Sequence, residues 1–398
     1  MRTALCLALL GVSARALPAQ SPCGREAALE AYRTEILATR TTPAQLAWTG
    51  DAAACDPGAP SPLAVEHALR RVNYFRAAAG LGPVTVDAGW SAKAQAAALM
   101  MHAEGRSDHF PDTAYACYTD AGREAAGKSN LYVGRWGGDA VVGYVEDPGD
   151  NNAAVGHRRW ILHPPKERIG LAFTDRADAM WVVGGAGPRP DTPDGVAWPP
   201  AGYVPAPLIF ERWSFSRHRA DFSSAAVAMT GPDGAPIALT QNEVTDGFAD
   251  NTLVWEPDLG EAGVRRNPTE DLSYTVTVTG VVEGGEPTSY SYVVTAMAVD
   301  VEGCEGRIAS GVADGLTAAA PRVGYRRATG ELTFDGVSAG AGGFEATVFD
   351  ELGRAVGGGR LAAGGTVAVG RLRRGVYLAR LRAPDGRVSA ATRFAVAE

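Results

Sequence analysis

Two histidines stand where imidazole chemistry is possible. His157 lies in Asn151-Asn152-Ala153-Ala154-Val155-Gly156-His157-Arg158-Arg159-Trp160-Ile161-Leu162, a polar turn that runs into a short helix closed by Pro164-Pro165. His109 lies upstream, in Ser107-Asp108-His109-Phe110-Pro111. Both settings are polar, flanked by turns and close to carboxylates. Imidazole is the commonest metal ligand and the side chain that titrates nearest neutrality. Two such residues converging on one cleft would therefore make a binding or acid–base site. The alternative is that each histidine merely caps or hydrogen-bonds a turn.

The elements that must position these residues follow from composition and periodicity. The 398-residue chain is 46% hydrophobic and 21% charged, an ordinary globular balance with length for several domains. Its Gly 49 and Pro 25 are spread throughout and favour turns and β-rich modules. A net charge of −8 with a pI near 5.4 argues against a general nucleic-acid binder. Lys93, Lys128 and Lys166 are the lysines; the other basic residues are arginines, which reads as a coding bias.

Arg2 followed by the apolar run Ala4 to Val12, with small residues at Ala14, Ala16 and Ala19, predicts a secretory signal peptide over residues 1–19. No stretch reaches the roughly 18 apolar residues of a membrane span. Export would leave Cys23, Cys55, Cys117 and Cys304, which allow three disulfide pairings that spacing cannot separate. Without a Cys-x-x-Cys spacing, a thiolate zinc site is not expected.

Residues 20–58 predict an extension with a helix near Glu26 to Leu37. Ser61-Pro62 then gives a helix start, with Val65, Leu69, Val72 and Arg76 as the inward stripe beside Ala68, Phe75 and Ala79. A second helix is predicted over Ala88 to His102, with Trp90, Ala94, Ala97 and Met101 on one face. Residues 105–130 are expected to be irregular. Asp139 would cap a third helix to Val145, and strands are predicted at 168–173 and 179–184. This first domain, 59–187, predicts an α/β/α sandwich. A linker is expected over 188–207, an Ig-like β-sandwich over 208–310 and a small C-terminal all-β domain over 318–398. The sandwich strands are expected near 212–216, 226–230, 252–255 and 274–278, and Trp213, Trp255 and Tyr274 as core. In the last domain, Pro384-Asp385-Gly386 would turn between the final two strands.

Several pieces, in order, carry a family resemblance. They are Arg71-Val72-Asn73-Tyr74-Phe75-Arg76 with Gly80-Leu81, Trp90 and its alanine helix, Asp108-His109, Ser129-Asn130-Leu131, Gly156-His157-Arg158, Ile169-Gly170-Leu171 and the Trp181 strand. Over about residues 60 to 186 the chain resembles the CAP superfamily (cysteine-rich secretory proteins, antigen 5, pathogenesis-related proteins) in its bacterial branch. The resemblance implies a cleft with two histidines and two acids that is able to bind a divalent metal such as zinc. His109 and His157 match the histidines and would be the metal ligands. One acid of the family precedes the Asn of a Glu-Asn pair; Ser129-Asn130 stands there, so that carboxylate is absent. The second acid falls at Glu146 or Asp147, with Asp147 favoured because it begins an Asp-Pro-Gly loop. The expected catalytic set is thus His109, His157 and Asp147, and the binding set Ser129, Asn130, Glu146, Asn152 and Arg158. His102 and His163 are expected outside the site, as a helix C-terminal cation and a solvated loop residue.

The C-terminal pieces Val348-Phe349-Asp350-Glu351-Leu352-Gly353-Arg354, Leu372 to Arg380 and Arg393-Phe394-Ala395-Val396 resemble the sorting domain of the type IX secretion system, without its usual Pro-Asn-Pro motif. The implied partners are the export machinery and an extracellular ligand or surface component, and the implied location is secreted, extracellular or on the outer cell surface. Three functions follow: ligand binding at the histidine cleft, hydrolysis by the same residues (peptidase-like), or an adhesive surface role.

Overall fold

The computed structural model describes residues 15–16, 24–192, 195–260, 268–299, 322–335, 344–350, 355–362, 365–382 and 392–396. The segment expected as a signal peptide, apart from 15–16, together with Cys23 and Cys304, lies outside them. The chain divides into two compact units, Met1–Ala298 and Val299–Glu398.

In the first unit, helix Gly24–Ala31 continues as a π turn over Tyr32–Leu37. Ser61 accepts a hydrogen bond from the Ala64 amide at 3.1 Å and starts helix Pro62–Ala78, as its type and the following proline predict. The buried face differs from the predicted stripe. Val65 and Leu69 are only half-buried, whereas His67 and Arg71 turn inward. The reason is polar: Arg71 donates to Thr39 Oγ1 at 2.9 Å, to Asp139 Oδ1 at 2.6 Å and to the Ile36 carbonyl at 3.0 Å. Periodicity counts apolar residues and misses a guanidinium that is buried with partners.

Helix Ala88–Glu104 is capped by Asp87 and ends at Gly105, whose φ of +76° suits glycine. The 105–130 stretch is not irregular throughout. Thr119 caps helix Asp120–Ala126, and Ser129–Val133 is a strand. The helix escaped notice because its inward residues are small. Gly122 lies so close to the preceding helix that a Cβ there would meet Met100 Sδ at 2.4 Å. Helix Gly137–Glu146 starts two residues before Asp139, which pairs with Arg71 instead of capping.

These helices frame a four-stranded sheet in the order Thr85–Val86, Arg168–Phe173, Ala177–Trp181, Ser129–Val133; the first pair is parallel and the others antiparallel. Strand Ala177–Trp181 is buried at every position, which requires cover on both faces.

The 188–207 segment, expected as a linker, contributes strands. Val196–Trp198 pairs with Trp213–Arg217, and Gly202–Pro205 pairs in parallel with Glu286–Met297. Its glycines and prolines obscured the buried Val196, Trp198 and Val204. One sheet runs Leu239–Gln241, Asn251–Pro257, Trp213–Arg217, Val196–Trp198. The other is built on the hairpin Leu272–Glu283 and Glu286–Met297, with Ala226–Thr230 beside it. That hairpin turns through Gly284-Gly285, both at positive φ, as a two-residue hairpin turn requires. Trp213, Trp255 and Tyr274 lie in the core between the sheets, as expected.

Among its described residues the regular elements of the second unit are all strands. Glu345–Asp350, Ala355–Arg360, Gly375–Arg382 and Thr392–Val396 form one sheet, and Arg322–Arg326, Glu331–Asp335 and Thr366–Ala368 another. Leu332, Val348, Leu381 and Phe394 are in its core. The turn expected at Pro384-Asp385-Gly386 lies outside the described residues, but the strands it would join do pair. Among the described residues, no helix is long and apolar enough to cross a membrane.

Candidate functional site

Helix Gly137–Glu146 ends at Asp147, which adopts a left-handed φ of +55°, a conformation that Asp tolerates better than most residues. This turns its carboxylate toward the next element. Val155, also left-handed, leads into helix Gly156–Ile161. Asp147 Oδ1 accepts the His157 Nδ1 proton at 2.7 Å, while Oδ2 accepts from the His157 amide at 3.0 Å and the Arg158 amide at 3.4 Å. The carboxylate is fully buried and the imidazole 22% exposed. Donation from Nδ1 sets the tautomer of the neutral ring and leaves Nε2 as its acceptor. Among the described residues Nε2 has no partner.

A second layer holds this pair. Asn130 Nδ2 donates to the His157 carbonyl at 3.1 Å, and the Tyr144 ring packs against the imidazole at 5.4 Å. The Tyr144 hydroxyl is within 3.0 Å of the Asn130 carbonyl and 2.9 Å of Asp178 Oδ1. The Gly137 amide donates to Asp178 Oδ2 at 2.9 Å and so starts the helix that ends at Asp147. Burial pushes the Asp178 carboxyl up to about 8, against the hydrogen bonds from Tyr144 and Gly137, so it is protonated at neutral pH. The Tyr144 hydroxyl, as donor, is shared between Asp178 Oδ1 and the Asn130 carbonyl. Neither Asp178 nor Tyr144 was expected in the site; the one hint is an aspartate inside the apolar run Ala177-Asp178-Ala179-Met180.

His109 is held more simply. Its Nδ1 donates to the Ala126 carbonyl at 2.8 Å, and the neighbouring Phe110 is 79% exposed. Disulfide Cys55–Cys117, which belongs to only one of the three pairing schemes left open, staples its loop to the N-terminal extension. His109 and His157 are thus tied to residues 126 and 130 of one segment, which spans at most about 14 Å.

The remaining expected site residues divide. Ser129 is buried, and its hydroxyl has no hydrogen-bond partner. Glu146 pairs with Arg135 at 3.2 Å, and Asn152 Nδ2 donates to the Pro148 carbonyl at 2.7 Å. Arg158, expected to bind ligand, is instead buried, and its donors are used within the protein. They go to the Val145 carbonyl at 2.6 Å, the Arg212 carbonyl at 2.8 Å and Ser214 Oγ at 3.0 Å. Desolvation lowers the guanidinium to about 10, leaving it charged at neutral pH.

His102 and His163 both depart from their expected roles. Burial lowers the His102 imidazole, whose Nδ1 meets Thr174 Oγ1 at 3.1 Å, so it is a neutral packing residue and not a helix-end cation. His163 is half-buried beside Arg189 and Asp250, and desolvation takes it down to about 4 despite the carboxylate at 3.7 Å.

Among the described residues, no group of three or more His, Cys, Asp or Glu side chains is placed to hold a metal ion. Among the described residues, His109 and His157 each keep one ring nitrogen without a hydrogen-bond partner. Two protein donors fall short of the three of catalytic zinc sites and the four of structural ones.

Residues 69–183 match the family model of the cysteine-rich secretory protein family, CAP. This segment resembles a CAP domain. No curated protein matches the chain. Among solved structures, the chain is similar to PcoC, a copper resistance protein from Escherichia coli, at 19% identity over 27% of this chain and 99% of that one, with a TM-score of 0.19. It is also similar to the CupB2 chaperone of Pseudomonas aeruginosa, at 10% identity over 51% of this chain and 100% of that one, also with a TM-score of 0.19. Likenesses at these scores carry no argument about the CAP domain or the strands that follow it.

Proposed function

We propose that the CAP domain is the ligand-binding part of an exported protein and that His157 is its polar anchor. The observation behind this reading is the 2.7 Å bond from His157 Nδ1 to the buried Asp147, which presents Nε2 outward in one orientation. A ring held this way accepts a hydrogen bond from a hydroxyl or amide of the ligand, and donates one when protonated. Asn130 fixes the backbone beneath it, and the unpartnered Ser129 hydroxyl adjoins Asn130. With only two open imidazole nitrogens, we assign the cleft no resident metal. The leader over residues 1–19 and the C-terminal strands resembling a sorting domain support export as part of the same proposal.

The test is a peptide and glycan array probed with the full chain and with His157→Gln. The reading expects at least one ligand bound tenfold or more weakly by the variant. Binding retained equally throughout would favour an adhesive role for other surfaces.

One observation favours a second reading, hydrolysis. An Asp-oriented imidazole is also the arrangement of a general base, with Nε2 taking a proton from water. Turnover of a bound peptide that Asp147→Asn abolishes while binding persists would establish it.

A further inference from the structure

We propose that the CAP domain does not build its histidine site alone: Arg212, which lies beyond the CAP match, is a positioning residue for the Asp147–His157 pair. The inference rests on the reading of His157 as the anchor and extends it to the β-strand region of the same compact unit.

Arg212 precedes strand Trp213–Arg217 and is buried. Its Nη1 donates to the Asp147 carbonyl at 2.9 Å and the Gly149 carbonyl at 2.8 Å. These two carbonyls bracket the turn in which Asp147 holds its left-handed φ, so the guanidinium clamps the turn that aims the carboxylate. The Arg212 Nε is held by Glu256 Oε1 at 2.8 Å. Arg158 answers from the CAP side, binding the Arg212 carbonyl and Ser214 Oγ.

The same embrace continues along the loop to His157. Asn242 Nδ2 donates to the Ala153 carbonyl at 3.2 Å, and Arg159 reaches the carbonyls of Thr245 at 2.8 Å and Asp250 at 2.9 Å. Phe248 covers Gly156 so closely that a Cβ there would lie 3.0 Å from its ring. The residues on both sides of His157 are therefore held by partners outside residues 69–183. A buried guanidinium bonded to two carbonyls of a turn fixes backbone position, which is what an oriented histidine needs.

The test reads the ring itself and requires no ligand. In the full chain, the His157 Nδ1 proton bonded to Asp147 should give a downfield proton resonance that exchanges slowly with water. Arg212→Ala should lose or broaden it while far-UV circular dichroism is unchanged. Arg217→Ala, which removes an arginine–glutamate pair of the same strand, with Glu283 at 2.9 Å, should leave it intact. Glu256→Gln should weaken it partially, and it decides the matter if Arg212→Ala does not fold. A resonance unchanged in folded Arg212→Ala, or in Glu256→Gln where the former is unfolded, would overturn the proposal. Loss in Arg217→Ala as well would also overturn it, as a general destabilisation. A failed ligand array with this pattern intact would count against the binding reading alone.

Discussion

His109 and His157 are held by opposite means. His157 is fixed without covalent help by a buried carboxylate, a tyrosine–aspartate pair behind it and arginines from two parts of the chain. His109 makes one backbone hydrogen bond on a loop beside an exposed phenylalanine, and a disulfide crosslinks that loop to the N-terminal extension. The contrast teaches that orientation and tethering are separable. A ring aimed by a buried acid presents one nitrogen in one direction, whereas a ring on a stapled loop is kept nearby but is free to adjust.

The largest expected effect tests the layer behind His157. Asp178 keeps its proton to about pH 8 when folded and loses it near 4 when unfolded. Between those values the unfolded state binds fewer protons, so stability is fully present below about pH 4 and falls as pH rises toward 8. The fall is on the order of 5 kcal/mol. Asp178→Asn should flatten it, as read from urea midpoints at pH 5 and pH 8; equal slopes in the two proteins would remove Asp178 from the account.

On the other side, the disulfide should carry the His109 loop. Cys55→Ser with Cys117→Ser opens a crosslink of sequence separation 62 and should cost about 4 kcal/mol. Amide exchange should quicken over 105–119 while the Nδ1 proton of His157 persists. Loss of both together would mean that the two halves of the cleft are not separable.

The smallest effects compare the histidines' own partners. Asp147→Ala strands three donors in a buried turn and should cost about 3 kcal/mol, whereas His109→Ala gives up one hydrogen bond and should cost below about 1 kcal/mol. Similar losses in thermal or urea unfolding would erase the distinction.

Much of the His157 half was legible in the residues. Gly156-His157 after a helix ending in an acid, and Asn130 in its ordered place, pointed to groups that the fold does bring together. The Ser61 start and the alanine face of helix Ala88–Glu104 were legible because caps and apolar spacing act locally. What escaped depends on distant partners. Arg158 reads as a ligand-binding residue and Arg212 as the start of a strand until their acceptors, more than fifty residues away in sequence, are known. Asp178 reads as a break in a strand until Tyr144 and Gly137 stand opposite it. Helix Asp120–Ala126 and the strands within 188–207 were hidden by small residues, glycines and prolines, whose burial is decided by neighbours and not by their own hydrophobicity.

The central claim is that buried Asp147 sets which nitrogen of His157 faces outward. Long-range proton–nitrogen correlation on the nitrogen-15-labelled full chain reads the tautomer of the neutral ring directly. The account predicts a protonated Nδ1 and a bare Nε2 for His157, with that preference lost in Asp147→Asn. A His157 protonated at Nε2 in the wild-type protein would contradict it.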